Sequence, residues 1–359
     1  MNRTAMICML LLSWLSANVS ADELRNAVRH DNVDLVRKLV EAGANVNETY
    51  ENEFTLIYFA RDPRIAEILV KHGARLNERN ELTDQTPLEA AAAEYQFRPE
   101  ERKRWKQIIQ LYRKAGASYT LETAIYLNDI AFIKEALKKD DTWVNQPGAG
   151  RSLPLRLAAE TGHAEICKLL LEHKADPDKF EEGNGYPIMV NAVPHPEVVK
   201  LLIKHGANLK RRISWIGGGS GYWIINDEST ALHHAIGSEN PESVKLLLQA
   251  GLDPSAADIS GQTPLHVAIH CEHFLSNGNR NEKVTQTYLK IINTLLDHDA
   301  SLRLTTNAGK TPMELAEELK SPQSIRDALE KKAKEWSDAL DREWYKDETQ
   351  EPDPRQPKK

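Results

Sequence analysis

Five side chains of the kinds that bind metal ions lie within one short stretch of the sequence. His266 and His270 are four residues apart, so a helix would place both on one face, and His273 follows shortly after. Cys271 and Glu272 lie between them. Imidazole, thiolate and carboxylate are the groups that bind zinc in proteins, and a carboxylate beside zinc serves as a general base. A zinc-dependent hydrolase is therefore one hypothesis for this chain.

The same stretch also has the features of a helix start. Thr263 is a suitable N-cap, and Pro264 suits the first helical position, where a backbone N–H is not needed. Apolar residues then recur at helical spacing at Leu265, Ala268 and Ile269. The Glu-between-His spacing of the motif His-Glu-x-x-His is absent. The pattern thus favours a structural helix over a metal site.

A second pattern, seen at residues 243–254, has the features of a helix end. Val244, Leu247 and Leu248 form an apolar stripe, and Gly251 is well placed for the left-handed conformation that closes many helices. Pro254 cannot continue the helix. Two short helices that end at such a glycine turn make one unit.

This unit recurs along the chain, and the recurring motifs resemble ankyrin repeats. The openings follow Thr-Pro-Leu-His and the endings follow Leu-Leu-Leu-x-x-Gly-Ala-Asp/Asn. Clear openings stand at Thr86, Leu153, Tyr186, Thr230, Thr263 and Thr311, and degenerate copies fill the first third of the chain. The resemblance implies an all-α ankyrin-repeat solenoid of about eight to nine helix-turn-helix units with short hairpin-like finger loops, over residues 22–335.

The resemblance also changes the interpretation of the histidines. In ankyrin repeats the histidine of the opening motif is a structural residue that ties adjacent turns, which is the role we expect for His266. We therefore predict no catalytic, cofactor-binding or metal-binding residue and no cofactor. The zinc enzyme that would use the cluster from His266 to His273 remains a remote alternative.

The two ends of the chain are predicted to lie outside the repeats. Arg3 precedes an apolar run, and small residues precede Asp22, so residues 1–21 are expected to form a cleavable signal peptide rather than a membrane anchor. Residues 336–359 are rich in charge and proline, and we expect a largely disordered tail there.

Charge and cysteine content narrow the location and the partners. The net charge of −7 becomes −8 when Arg3 is lost with the signal, which argues against a nucleic-acid partner. Only Cys167 and Cys271 would remain, three units apart and too far for a disulfide. Export without a disulfide framework indicates a bacterial periplasm or secretion, with no membrane insertion after cleavage.

Three segments depart from the regular repeat length. Thr230 to Gly251 spans 21 positions, whereas Phe54 to Gly73 spans 19 and Thr86 to Gly116 spans 30. The extra positions between Thr86 and Gly116 lie around residues 98–105. Pro99 suits an earlier start of the second helix there, and Trp105 is expected in the core. Thr263 to Asp299 spans 36 positions, with the excess in residues 271–281.

A fourth departure is an enlarged loop at residues 211–228. Aromatic and β-branched runs flank five residues from Gly217 to Gly221, which is typical of a hairpin, and the sequence lacks the Gly-Lys-Ser/Thr ending of a phosphate loop. Aromatic residues and arginine are the residue types that dominate protein interfaces. The residues expected to contact a partner are Arg212, Trp215, Tyr222, Trp223 and, in an earlier loop, Tyr50.

We therefore expect a monomeric, periplasmic, protein-binding scaffold that uses its concave groove and finger loops. One alternative is an inhibitor or immunity protein that neutralises a secreted toxic enzyme, because export combined with a binding fold suits that task. Another is a purely structural role, in which the loop at residues 211–228 folds back over the groove. The sequence leaves the identity of the partner open.

Overall fold

The computed structural model describes residues 21–49, 54–148, 152–179, 186–213, 227–276 and 281–348. The chain divides into two compact units, Met1–Asp176 and Pro177–Lys359. Each unit is an all-α repeat solenoid, and within the described ranges the extended backbone is limited to isolated bridges. No helix in that part of the chain is long and apolar enough to cross a bilayer.

The first unit contains nine α-helices among its described residues. They are α1 (Ala21–Arg29), α2 (Val33–Glu41), α3 (Pro63–Lys71), α4 (Pro87–Phe97), α5 (Arg102–Lys114), α6 (Leu121–Tyr126), α7 (Ile130–Lys139), α8 (Pro154–Glu160) and α9 (Ala164–Glu172). Short 3-10 helices occupy Leu56–Phe59, Pro99–Glu101 and Thr142–Asn145. We number the pairs as repeats 1 to 5, in which the 3-10 helix Leu56–Phe59 takes the place of the first helix of repeat 2.

The second unit contains eight α-helices among its described residues. They are α10 (Ile188–Ala192), α11 (Pro196–Lys204), α12 (Ala231–Gly237), α13 (Pro241–Gln249), α14 (Pro264–Leu275), α15 (Glu282–Asp297), α16 (Pro312–Glu318) and α17 (Gln323–Glu348). These pairs are repeats 6 to 9. In both units the first helices of neighbouring repeats contact each other, and so do most of the second helices.

Two left-handed backbone positions recur in the repeats and fix how each helix pair closes. One lies between the two helices, as at Asn128 (φ 53°) and Glu239 (φ 53°). The other follows the second helix, as at Gly251 (φ 89°), which confirms the helix end predicted there. At such a position the chain reverses direction while its N–H groups bond the last carbonyls of the helix.

In repeats 3, 7 and 8 the third helical residue after the opening threonine connects the repeat to the next one. His266 accepts a hydrogen bond at Nδ1 from the backbone N–H of Thr263 (3.2 Å), and its Nε2 lies 2.9 Å from the carbonyl oxygen of Lys310. A carbonyl only accepts, so Nε2 carries the proton and the ring is neutral. His233 makes the same contacts with Thr230 and Gln262. The structural role predicted for His266 is confirmed.

Glu89 occupies the equivalent position in repeat 3 and connects it to repeat 4 by a different chemistry. Its carboxylate accepts hydrogen bonds from the backbone N–H of Thr86 (2.8 Å) and from the hydroxyl of Thr120 (2.7 Å). Both oxygens also accept from the guanidinium of Arg79, at 2.9 and 3.0 Å. Because Glu89 is buried, this ion pair is largely removed from water.

Further predictions from the sequence can be compared with this fold. Trp105 is buried, as expected, and Cys167 and Cys271 are free, buried thiols, with burial raising the pKa of each to about 12. One prediction differs, because α17 continues to Glu348 into the proposed tail at residues 336–359. Alternating Lys and Glu residues such as the Lys331–Glu335 pair favour that helix.

Candidate binding site

Four of the five residues predicted to contact a partner lie outside the described residues. They are Tyr50, Trp215, Tyr222 and Trp223. The fifth, Arg212, is exposed, and its Nη1 donates to the carbonyl oxygens of Glu228 and Ala257, both at 2.7 Å. Its guanidinium therefore braces the base of the enlarged loop against the next loop.

The described ends of the enlarged loop pair with each other as a hairpin would. Ile213 and Ser229 form an antiparallel bridge, with the Ile213 N–H 2.9 Å from the Ser229 carbonyl oxygen. The base of the enlarged loop is also joined to the loop that follows it, since the backbone N–H of Ile259 donates to the carbonyl oxygen of Asp227 (2.9 Å). Backbone hydrogen bonds thus hold the bases of successive loops in a fixed order.

Gly261 shows how closely two of these loops approach. Its φ of +74° is left-handed, and a Cβ there would lie 2.9 Å from the backbone nitrogen of Asn307. That nitrogen donates to the carbonyl oxygen of Ser260 (2.9 Å). Glycine is required because a side chain would separate the two loops.

Three residues of the cluster that suggested a remote zinc-enzyme alternative make structural contacts. Both ring nitrogens of His266 are used as described above, and Nδ1 of His270 lies 2.8 Å from the side-chain oxygen of Gln262. The buried carboxylate of Glu272 accepts from the hydroxyl of Thr285 (2.7 Å). Burial lowers the pKa of His266 and of His270, which favours their neutral forms. No group of ligands with metal-binding geometry occurs among the described residues.

An open cleft in the first unit has features suited to binding. It has a volume of about 570 Å³ and lies between the 3-10 helix of repeat 2 and α4 of repeat 3. Its lining includes six aromatic side chains, Phe54, Tyr58, Phe59, Phe97, Trp105 and Tyr112. We call it the aromatic cleft. Ligand pockets typically have about 300–1,000 Å³ and mainly apolar walls.

The local sequence explains why this space is open. The first helical segment of repeat 2 is a single 3-10 turn of four residues, whereas the facing α4 has eleven. The side chains that α4 turns towards the cleft include Ala90, Ala91 and Ala93, which are too small to fill it. The shortened repeat and the small side chains together create the cleft.

Three aromatic rings on one side of the cleft are held in a fixed arrangement. The ring of Phe54 stands edge-on to that of Tyr58, at 5.4 Å and 85°, and is tilted against that of Phe59 at 5.7 Å. The Tyr58 hydroxyl lies 2.8 Å from the carbonyl oxygen of Glu78 and 2.7 Å from that of Gln85. Burial raises the pKa of Tyr58, so its hydroxyl remains protonated as the donor.

The opposite side combines one exposed ring with three charged residues. Phe97 ends α4 with 51% of its surface exposed and contacts Tyr126 with its ring edge. Glu94 and Arg98, one turn apart, form an ion pair. Glu100 is exposed and has no ion-pair partner among the described residues. The rim therefore offers an apolar contact next to one uncompensated carboxylate.

Below these groups, Trp105 and Tyr112 form a buried floor. The Tyr112 hydroxyl donates to the carbonyl oxygen of Ile57 (3.1 Å), which holds α5 against repeat 2. The indole N–H of Trp105 is buried and meets no acceptor in the part of the chain that the structure describes. Sequence reasoning pointed to residues 98–105 and to the short second repeat, but it did not bring them together.

Two segments of the chain match known repeat families. Residues 121–213 match the family described as ankyrin repeats (3 copies), and residues 232–275 match that described as ankyrin repeats (many copies). The two matches cover repeats 4 to 6, most of repeat 7 and the first helix of repeat 8. The segment with the aromatic cleft precedes both.

Parts of several longer proteins are similar to this chain. The ankyrin repeat and SAM domain-containing protein 6 of Mus musculus is 31% identical over 123 residues, which are 32% of this chain and 13% of that protein. The B-cell lymphoma 3 protein homolog of Mus musculus is 34% identical over 116 residues, 32% of this chain and 23% of that protein. The nuclear factor NF-kappa-B p105 subunit of Gallus gallus is 28% identical over 165 residues, 45% of this chain and 14% of that protein. The chain spans less than a quarter of the length of each of these relatives.

Proposed function

The chain is an ankyrin-repeat protein, and we propose that it is a non-enzymatic scaffold that binds another protein through the aromatic cleft. Ankyrin repeats are protein-interaction scaffolds, and proteins of this family generally lack enzymatic activity. The observation that carries the proposal is the cleft itself, in which rigid aromatic walls surround an open volume of about 570 Å³. Aromatic side chains in such settings supply much of the binding energy of protein interfaces.

The test uses two exposed phenylalanines that end equivalent helices. Phe97 ends α4 beside the cleft, and Phe274 lies at the end of α14, where 59% of its surface is exposed. Phe97→Ala should reduce partner capture by the full-length chain at least about tenfold, since an aromatic hot spot contributes about 2 kcal/mol or more. Phe274→Ala is the matched control and should capture as the native chain does. Equal capture by all three proteins would contradict the proposed role of the cleft.

The aromatic residues of the loop at 211–228 and of the loop before repeat 2 are proposed as additional contacts. The support is that the described ends of the loop at 211–228 pair with each other and that Arg212 joins them to the next loop. Alanine at both Trp215 and Trp223 should weaken capture, and alanine at Tyr222 or Tyr50 should weaken it less. Capture that all of these substitutions leave unchanged would limit the interface to the cleft.

The proposed place of action is the bacterial periplasm. The support comes from the sequence, in which a short apolar run and small residues precede Asp22 and only two cysteines follow. Mass spectrometry of the protein recovered from osmotic-shock fluid should give a mature chain that begins at Asp22. A chain that retains Met1 and stays with the spheroplasts would refute the location without affecting the binding proposal.

A further inference from the structure

The aromatic cleft has a chemical preference that follows from its rings and charges. The face of an aromatic ring carries negative potential, which attracts cations placed over it. One ring of the cleft already shows this behaviour, because the guanidinium of Arg29 lies over Phe59 with its central carbon 4.8 Å from the ring centre. The cluster of Phe54, Tyr58 and Phe59 is thus compatible with a neighbouring guanidinium.

The charges at the rim favour the same kind of ligand. Glu94 is compensated by Arg98, but Glu100 is exposed without an ion-pair partner among the described residues. Of the nearby basic residues on α5, Arg102 lies over the Tyr95 ring at 5.5 Å and Arg104 pairs with Glu101 at 3.6 Å. The cleft therefore has a carboxylate outside the ion pairs of the described residues, while Arg98, Arg102 and Arg104 are engaged elsewhere.

The net negative charge of the whole chain also favours a basic ligand. At −7 it attracts basic partners over distances of about 10 Å, the screening length at moderate salt. Arginine fits better than lysine, because its planar guanidinium both stacks on rings and pairs with a carboxylate through two parallel N–H donors.

From these contacts we infer that the aromatic cleft binds an arginine side chain of a partner protein, stacked against the aromatic walls and paired with Glu100. The inference rests on the proposed function and specifies the partner chemistry that the same site would recognise. An extended segment suits the site best, because the cleft is a local depression between two repeats and would admit one side chain with its flanking backbone.

The probe is a set of short linear peptides selected from a random display library on the full-length chain. A selected peptide is then synthesised with arginine and with citrulline, which has the same shape without the charge. Its affinity is measured by calorimetry for the native chain, for Glu100→Gln and for Phe97→Ala, with Phe274→Ala as control. The substituted residues are exposed, and thermal melts establish that each variant is folded.

We expect the selected peptides to share an arginine. Citrulline should weaken binding to the native chain about tenfold, and less than about threefold once Glu100 has become Gln, since the ion pair is then already lost. Phe97→Ala should weaken binding of both peptides, and Phe274→Ala of neither.

The other outcomes separate the inference from the proposed function. Peptides that respond to Phe97→Ala but bind equally well with citrulline, or that carry acidic residues instead, would refute arginine recognition and leave the cleft as a protein-binding site. Failure to select any peptide that responds to Phe97→Ala would overturn both.

Discussion

Repeats 3 and 8 are the two expanded repeats of the chain, and they resemble each other closely. In both, the first helix is lengthened, to eleven residues in α4 and twelve in α14, and each presents an exposed phenylalanine near its end. A buried tyrosine of the second helix bonds to the repeat before it in both cases. Tyr112 donates to Ile57 at 3.1 Å, and Tyr288 donates to Ile236 at 3.2 Å.

Their preceding neighbours differ, and the difference explains the cleft. Repeat 8 packs on the complete helix α12, whereas repeat 3 faces the four-residue 3-10 helix of repeat 2. The lengthened first helix is thus common to both repeats, and the open space in repeat 3 comes from the shortened neighbour. An insertion alone does not open a cleft of this kind between two repeats.

The largest expected difference between the two repeats concerns the residue that connects each to the next one. Glu89→Ala would leave the partly buried guanidinium of Arg79 and the hydroxyl of Thr120 without their acceptor, which should cost about 3–5 kcal/mol of unfolding free energy. His266→Ala removes two neutral hydrogen bonds and some packing, and should cost about 2–3 kcal/mol. Urea unfolding measures both losses.

Glu314→Ala is the matched control, because Glu314 caps α16 in the same way but is exposed and connects to no further repeat. It should cost less than either of the other two substitutions, because only an exposed helix cap is lost. A larger loss for His266→Ala than for Glu89→Ala would show that packing around the imidazole outweighs the buried ion pair.

Acid should weaken the second unit specifically, because its repeats are connected by imidazoles. Burial lowers the pKa of His233 from its ordinary 6.5 to about 4. Between these values the unfolded chain binds a proton that the folded chain does not, so stability falls as the pH drops through 6.5 and the loss is complete near pH 4. His233 accounts for up to about 3 kcal/mol of this loss, at about 1.4 kcal/mol per pH unit.

Urea unfolding of the native chain and of His233→Gln at pH 7 and pH 5 measures the effect. The variant should be less stable at pH 7 and should lose less stability on acidification. Hydrogen exchange should locate the loss in α12 and α14 and leave α4 protected. An equal pH dependence in the two proteins would refute the assignment to His233.

The sequence predicted the repeat architecture well because its signals are local. A threonine cap, a proline at the first helical position and a glycine at the left-handed end each act within a few residues, as the stretch that begins at Thr263 shows. The same locality explains the correct interpretation of His266, since its partner Thr263 lies three residues away.

The cleft could be predicted only in part, because it depends on two segments that are distant in sequence. The short repeat 2 and the long repeat 3 were both visible as departures in spacing, but their shared space depends on how α4 faces Leu56–Phe59. The Glu89–Arg79 pair was missed, although glutamate at the third helical position after Thr86 is a capping signal. Arg79 precedes the helix by eight residues, in a loop without regular periodicity.

Substitution of the buried tyrosines Tyr112 and Tyr288 should have a smaller effect on the stability of the two expanded repeats. Tyr112→Phe and Tyr288→Phe each remove one hydrogen bond to a carbonyl that keeps a further backbone donor, so each should cost about 1 kcal/mol in urea unfolding. A nearly neutral Tyr112→Phe beside a destabilising Tyr288→Phe would mean that water reaches the floor of the cleft and replaces the lost donor.

The smallest expected difference lies at the left-handed residue that ends each expanded repeat. Repeat 3 has Gly116 there (φ 90°) and repeat 8 has Asp299 (φ 62°). Asp299→Gly should stabilise the chain by about 0.5 kcal/mol, because the relief of backbone strain exceeds the added flexibility of the unfolded chain. The contact of Asp299 with Lys332 is long, at 3.5 Å, and the Asp299 side chain is 80% exposed, so its loss should matter little.

Gly116→Ala is the reciprocal substitution and should destabilise by about 1 kcal/mol. A Cβ at Gly116 would meet nothing within 4 Å, so the cost is conformational and contains no steric clash. Thermal melts of the two variants should therefore shift in opposite directions. Shifts in the same direction would mean that the residue at this position acts through its side-chain contacts, and that the two expanded repeats end by different means.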